Sequence, residues 1–340
     1  MEEALASGVR AVLAEQGIEP GDLRLSRIPG GASRETWLAE GEAGRWVLRR
    51  DPRGSVSLVP IGQEFALIRA AAEAAVPVPE PLACEPEGGR FGSPGLLMAH
   101  LEGTSVAPRV LHKPEFERAR ARLTGQLAEA LARIHSIDTA KLDGVLPRHE
   151  TGGSSASPAE PPRTTDPALA QVEEWERQLD EIGEPLPAVE LGLRWLRAHL
   201  PEPAVPRLVH GDFRLGNFIV DEDGLAAVID WELSHLGDPA EDVGWLCIRS
   251  WRFGNADRRV AGLGGIDEFV SAYESAGGGT VDRDRVHFWE VFGNVKWAVI
   301  CARQADDHLS GVRRSHELAS LGRRVCEPEW DLLELIRGAA

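Results

Sequence analysis

Residues 207–232 read RLVHGDFRLGNFIVDEDGLAAVIDWE, and the order of strands and acids within them decides how the whole chain is read. Leu208–Val209 is a short apolar strand that ends at His210-Gly211-Asp212. Phe218-Ile219-Val220 and Leu225-Ala226-Ala227-Val228-Ile229 are two further strands, and Asp221-Glu222-Asp223-Gly224 between them is a turn sequence. Folding a hairpin about that turn sets Asn217, just before its first strand, opposite Asp230, just after its second. Asp212 stands five residues ahead of Asn217, in the loop that opens onto the same end. Two carboxylates and a carboxamide oxygen are expected to meet there. Hard oxygen donors suit Mg²⁺, which binds through one or two carboxylates and completes its shell with phosphates and water. A further carboxylate beside the metal can orient a hydroxyl and accept its proton. Singly, each residue reads as a turn or cap group. Jointly, in this register, they read as a catalytic set.

Outward from this block, the character of the chain differs on its two sides. Residues 1–19 form a helix with Leu5, Val9, Val12, Leu13 and Ile18 as its apolar face. Segments Leu23–Ile28, Thr36–Ala39 and Trp46–Arg50 are strands of an antiparallel meander, with Gly30-Gly31 in the first turn. A helix over 62–75 ends ahead of Pro77 and Pro79, and Leu82–Cys84 and Leu96–His100 add two strands. Beyond Gly103, helices are expected at 115–136 (Leu123, Leu127, Leu131 and Ile134 on one face), 168–181 and 188–200, and again from about 239 to the end. Residues 147–167, rich in Pro, Ser, Gly and Thr, read as a flexible insert.

Composition narrows the function. At 340 residues, with 43% hydrophobic and 27% charged residues, the chain can bury one large core or two linked lobes. A net charge of -17 disfavours nucleic-acid and anionic-membrane partners, which select Lys and Arg clusters, and is compatible with a cationic substrate. Cys84, Cys247, Cys301 and Cys326 are scattered, so neither a zinc site nor a disulfide framework is indicated. The N-terminus lacks a signal-peptide core, and no run reaches the roughly 18 apolar residues of a membrane span, so a cytoplasmic protein is expected. Oligomeric state is not legible.

The run His210-Gly211-Asp212-Phe213-Arg214-Leu215-Gly216-Asn217, followed by Val228-Ile229-Asp230-Trp231-Glu232, resembles the signature of the aminoglycoside phosphotransferase family. Leu131-Ala132-Arg133-Ile134-His135, and Gly237-Asp238-Pro239 with Asp242, extend the likeness. The resemblance implies an α+β, protein-kinase-like two-lobed fold: an antiparallel-sheet nucleotide-binding lobe with one helix over residues 1–101, and a mainly helical lobe over 102–340. It implies ATP and Mg²⁺ as cofactors, transfer of a phosphoryl group to a small-molecule hydroxyl, Asp212 as the base, and Asn217 and Asp230 as metal ligands. Arg214 joins the catalytic group, as does His210, which either orients the loop or is a satisfied structural histidine. Gly211 stands where protein kinases carry Arg, and Asp230-Trp231-Glu232 where they carry D-F-G; both departures argue against a protein substrate.

On the nucleotide side, Gly30, Gly31 and Ser33 are expected near the phosphates, since glycine lets backbone N–H groups approach without Cβ interference. The kinase lysine position is matched by Arg49 or, second, by Arg50, with Glu64 as the carboxylate partner. Met98, His100 and Leu101 fall where the inter-lobe linker would meet adenine. Trp289, Phe292, Lys296, Trp297 and Ile300 make a helical stripe that reads mainly as core. Asp238 and Asp242 read as caps of the following helix. The stretch WELSHLGDPAEDVGWL looks closest to the branch fused to acyl-CoA dehydrogenases and its free-standing bacterial relatives, implying a hydroxyacyl-CoA acceptor in place of an aminoglycoside, amino alcohol or sugar. The competing expectation is a catalytically weak nucleotide-binding scaffold on the same fold.

Overall fold

The computed structural model describes residues 2–28, 34–52, 59–142, 144–146 and 166–338. Period-two runs broken by turns become β1 (Arg24–Ile28), β2 (Glu35–Gly41), β3 (Gly44–Arg50), β4 (Pro81–Glu85) and β5 (Gly95–Ala99). All their pairings are antiparallel, in the spatial order β1-β2-β3-β5-β4. Alternation then sorts the side chains by face. Trp37, Ala39, Trp46, Leu48 and Leu97 pack beneath α1 (Glu2–Glu15), which contributes Leu5, Val9, Val12 and Leu13. Val47, Leu96 and Met98 turn the other way, toward α2 (Ile61–Glu73) and the rest of the molecule. Arg49, directly across from Leu96, shares that second face.

The remainder is mainly helical: α3 (Ala107–His112), α4 (Glu117–His135), α5 (Pro167–Ile182), α6 (Pro187–Ala198), α7 (Ala240–Cys247), α8 (Ile266–Ser275), α9 (Arg283–Leu309), α10 (His316–Gly322) and α11 (Cys326–Gly338). In α4 the expected stripe of Leu123, Leu127, Leu131 and Ile134 is wholly buried. It packs in one core with Phe269 and Tyr273 of α8 and with Phe218, Val220 and Val228 of a hairpin formed by β7 (Phe218–Val220) and β8 (Leu225–Val228). A second core gathers α5, α6, α9 and α11 around Trp289, Phe292 and Val295. Most of the α9 stripe is thus core, as its spacing indicates.

β6 (Arg207–Val209) pairs with β9 (His235–Gly237), a partner that sequence pattern does not reveal, because three residues ending in glycine carry no alternation. The expected insert is shorter at its far end than the composition implies. Residues 147–165 lie outside the described residues, but Asp166 accepts a bond from the Ala168 N–H as the N-cap of α5, and Pro167 is its first residue.

Two backbone seams join the sheet region to the hairpin. Thr104 N–H donates to Val220 O (2.9 Å) and Val220 N–H to Thr104 O (3.0 Å), just after the connector leaves β5. Val228 N–H donates to Pro77 O (2.8 Å). Gly103 permits the first seam: its φ is +132°, and a Cβ there would lie 2.6 Å from Val220 O. The hairpin therefore sits where sheet and helices meet. Leu131→Ala would empty the α4–α8–hairpin core and is expected to cost about 2–5 kcal/mol, read as a lower denaturant midpoint at unchanged m-value.

Candidate active site

The segment from His210 to Asn217 is held mainly through its backbone. Asp242, on α7, has both carboxylate oxygens committed: Oδ2 accepts from His210 N–H (2.8 Å) and Oδ1 from Gly211 N–H (2.9 Å). Ser234 Oγ donates to His210 O (3.2 Å), and Lys296 Nζ of α9 donates to Gly211 O (2.7 Å). Gly211 adopts φ +77°, and a Cβ on it would stand 2.2 Å from Leu233 O, so this position of the loop admits glycine alone. That is the physical content of His-Gly-Asp at this place.

His210 is fully buried and spends both ring nitrogens on the backbone. Asp212 N–H donates to its Nδ1 (3.2 Å), which makes Nδ1 an acceptor and leaves Nε2–H to donate to Ile229 O (3.2 Å). Burial outweighs the nearby carboxylates and lowers its pKa, keeping the ring neutral. With neither nitrogen available for proton transfer, the catalytic expectation for His210 is corrected to one of holding the loop.

Asp212 emerges from this loop with its carboxylate oriented on both oxygens. Oδ2 accepts from Asn217 Nδ2 (2.6 Å); Oδ1 accepts from Arg214 Nε (2.9 Å) and from Trp245 Nε1 (2.9 Å). Asn217 Nδ2 also donates to Asp212 O (3.0 Å), so the amide oxygen is the atom left to face a cation. Arg214 lies over the Trp251 ring, 4.5 Å from its centroid.

The hairpin register differs by one residue from the expected one. Phe218 faces Val228, and Ile229 N–H donates to Asn217 O (2.9 Å), so Asn217 stands opposite Ile229, with Asp230 one residue beyond. Plain counting outward from Val220 and Leu225 would set Asn217 against Val228; the irregularity between Ile219 and Val220 moves it one residue, to Ile229, one short of the expected Asp230. Asp230 then takes a left-handed conformation (φ 71°, ψ 62°), unusual for a non-glycine residue and found preferentially where function demands it. Its carboxylate Oδ1 receives Arg49 Nη2 at 2.8 Å.

Arg49 joins the sheet to the hairpin, since its other terminal nitrogen binds Glu64 of α2. Arg50 points to the opposite face, where it bonds Glu35 and Phe91 O, so of the two arginines it is Arg49 that meets Glu64 and Asp230. Glu64 is completely buried and is shared with a second guanidinium, Arg34, which also donates from Nε to Asp51 Oδ1 (2.8 Å). Arg34 was not among the paired residues read from sequence; an arginine next to a glycine turn carries no mark of burial. At Asp230 burial favours the neutral acid, but the adjacent Arg49 charge and hydrogen bond prevail and hold its pKa below the ordinary range.

Met98 is buried on the same sheet face as Arg49. His100 N–H donates to Arg45 O (3.1 Å), so that amide is already spent, and Leu101 follows half-buried. Gly30, Gly31 and Ser33 lie outside the described residues. Asp238 does cap α7, bonding Ala240 N–H (3.0 Å) as well as Arg285 and Trp289. Asp242 does not cap it; it holds the loop, and His135 Nε2 lies 3.2 Å from its Oδ2. The functional place of Asp242 and Lys296 was hidden in the sequence because their partners are backbone atoms more than thirty residues away.

A family model described as the phosphotransferase enzyme family (APH) matches residues 24–289. Acyl-CoA dehydrogenase family member 10 of Mus musculus is 28% identical over 347 residues, covering 97% of this chain and 31% of that protein. Acyl-CoA dehydrogenase family member 11 of Rattus norvegicus is 31% identical over 235 residues, 66% of this chain and 28% of that one. The chain thus spans about a third of the length of the curated relatives it matches. A crystal structure of a candidate aminoglycoside phosphotransferase from Ralstonia eutropha superposes with a TM-score of 0.73 at 22% identity, covering 98% of each chain. A thermostable mutant of aminoglycoside phosphotransferase APH(4)-Ia, bound to AMP-PNP and hygromycin B, does so with 0.63 at 17%, covering 98% of this chain and 99% of that one. These two likenesses are of fold. Among the described residues no helix is long and apolar enough to cross a membrane.

Two outcomes follow from the loop's anchoring. Gly211→Ala is expected to lose about 1–2 kcal/mol from left-handed strain alone, and more from the contact with Leu233 O, measured by chemical denaturation. At Asp242, burial opposes ionisation but the hydrogen bonds from His135 and from the His210 backbone prevail, so its folded pKa lies below the ordinary 3.8. The stabilisation it brings is complete above that ordinary value and lost as pH falls through the lower folded one. Asp242→Asn should therefore sit about 1.5–3 kcal/mol below wild type at pH 6. The gap should narrow in acid, as unfolding free energies measured across the series would show.

Proposed function

Because this chain belongs to the phosphotransferase enzyme family, we propose that it is an ATP- and Mg²⁺-dependent kinase that phosphorylates the hydroxyl of a small hydroxyacyl-CoA-like molecule. The observation that carries the reading is the Asp212 carboxylate, held by Asn217, Arg214 and Trp245 and mounted on a backbone clamped at His210 and Gly211. Such a carboxylate costs no reorganisation when a hydroxyl arrives.

The nucleotide would lie between the sheet and the helices. Arg49, steadied by Glu64, would serve the α- and β-phosphates, the groups for which Gly30, Gly31 and Ser33 are also proposed. Adenine would rest near Met98, with the His100 carbonyl and Leu101 for its edge, since the His100 amide is bonded to Arg45 O. The donors fit Mg²⁺: Asn217 offers an amide oxygen, and Asp230 is held ionised. No group of three or more His, Cys, Asp or Glu able to hold a metal occurs among the described residues, which suits an ion that arrives with the nucleotide's phosphates. When bound, Mg²⁺ neutralises charge developing on the transferred phosphoryl group. Asn217 and Asp230 would hold that ion, and Arg49, now bonded to Asp230, would then serve phosphate. In the transfer, Asp212 orients the acceptor hydroxyl and takes its proton as the oxygen bonds to the γ-phosphorus in line with the departing ADP oxygen. Arg214, beside Asp212, offsets charge on the same group.

Two features favour the acyl thioester over an aminoglycoside. Two relatives named acyl-CoA dehydrogenase family members align along 97% and 92% of the chain. In addition, the Asp212 carboxylate is already matched by the Arg214 guanidinium and bonded by the buried Trp245 indole, which leaves less free negative charge there for a polycation. The chain's overall negative charge keeps it soluble; the local field faces the acceptor.

An ADP-release assay over hydroxyacyl-CoAs, aminoglycosides and choline tests the acceptor, with turnover expected for the first and not the others. Asp212→Ala should lower kcat by about 10³-fold or more, in line with loss of a general base and its orientation. It should also retain ATP stabilisation that depends on Mg²⁺, about 2.7 kcal/mol at a hundredfold excess over Kd. Turnover confined to aminoglycosides would reverse the acceptor assignment.

A further inference from the structure

Trp245 and Lys296 lie apart in sequence, on α7 and α9, yet both end on the segment that carries Asp212. Trp245 is buried and gives its only polar hydrogen to Asp212 Oδ1, at 2.9 Å. The other donor to that oxygen, Arg214, is attached to the same loop and is partly exposed, free to follow a substrate. Trp245 is the fixed reference. Its ring is wedged against Trp251, with centroids 5.2 Å apart, and Lys296 Nζ lies 4.8 Å from its centroid.

Lys296 is buried in a helix whose neighbouring positions are apolar, where an ammonium survives only if its charge and hydrogens are matched. It has Glu241 Oε1 at 3.3 Å, Gly211 O at 2.7 Å, and the faces of Trp245 and, at 5.8 Å, Trp175. A buried ion pair with Glu241 alone would be a structural feature. Two of these contacts reach beyond it, to the peptide that leads into Asp212 and to the indole bonded to its carboxylate. Holding Gly211 O fixes the peptide plane from which Asp212 departs; holding the indole fixes where its Oδ1 rests.

We propose that Trp245 and Lys296 act together as positioning residues that hold the Asp212 carboxylate toward the acceptor hydroxyl. The proposal rests on Asp212 being the base of the phosphotransfer reaction. The ammonium sets the loop peptide and the indole, and the indole sets the carboxylate. The contacts of both side chains run to the Asp212 loop and not to Arg49, Glu64 or Asp230, so their loss should fall on turnover and spare nucleotide binding.

The test measures ADP release from Mg-ATP, with hydroxybutyryl-CoA and with water as acceptors, for wild type, Trp245→Phe, Lys296→Met, Lys296→Arg and their double variants. Trp245→Phe keeps an aromatic ring in the buried position and removes the N–H together with the five-membered half of the indole. It should lower kcat on the order of ten- to a hundredfold, the size of a lost hydrogen bond to a charged group, with the KM for ATP and the ATP-induced rise in Tm within about twofold of wild type. Lys296→Met should do the same, and Lys296→Arg should recover part of the loss. Lys296→Met combined with Glu241→Gln leaves no lone buried charge and guards against failure to fold. The Trp245→Phe, Lys296→Met pair should lose less than the product of the single losses, as groups acting in series do. An active wild type whose Trp245→Phe and Lys296→Met variants keep its kcat would overturn the proposal alone. So would variants that lose ATP affinity and kcat in parallel. A wild type that releases no ADP with either acceptor removes the phosphotransfer reading, and this proposal with it.

Discussion

The site depends on one buried carboxylate that neutralises two backbone amides. Asp242 takes the N–H groups of His210 and Gly211, which a left-handed glycine has turned to the same side. Without that acceptor, two donors would be stranded in a core that contains no water-exposed surface at His210. With it, the chain makes a sharp corner after β6 and delivers Asp212 at a set angle. The same acid lies against His135 from α4, so the helix that organises the large core also braces the loop. Packing and chemistry share a residue, which is why the loop is rigid although it has no regular secondary structure.

A second set of charges joins the sheet to this loop. Asp51, Arg34, Glu64, Arg49 and Asp230 alternate in sign from the end of β3 through α2 to the hairpin. A fully buried Glu64 would be expensive alone, and its two guanidinium partners answer that cost. Arginine in place of lysine has a structural reason here. Its planar fork reaches Glu64 and Asp230 with separate nitrogens, which a single ammonium could approach but not bridge with the same directionality. The arrangement leaves Asp230 balanced between a protein cation and the cation proposed to accompany a nucleotide.

Much of the fold was legible. The five strands of the sheet, the helix after the third, and the α4 stripe follow from periodicity and from glycine and proline punctuation, all of which are local. The Asp212–Asn217 contact was legible for the same reason, since five residues of loop cannot separate them far. The hairpin turn was found, but its register was not: pairing Asn217 with Asp230 overshoots by one residue, and the apolar pattern shows neither that nor the extra residue of the bulge. β9 escaped notice since it is a strand only by virtue of pairing with β6. His210 was placed in the right loop, and its two committed nitrogens give it the loop-holding part of its reading and no share in proton transfer.

By itself, the sequence determined the element order, the residues of the main core face, and the loop on which the acid, the amide and the second acid are carried. These depend on spacing along the chain, and spacing is written there. Tertiary structure alone decided that Asp242 and Lys296 would grip the loop's backbone, that Arg34 would share Glu64, and that Trp245 would bond Asp212. The reason is physical: a buried polar side chain takes whichever partner packing brings to it, and a backbone amide or carbonyl looks the same at every position of a sequence.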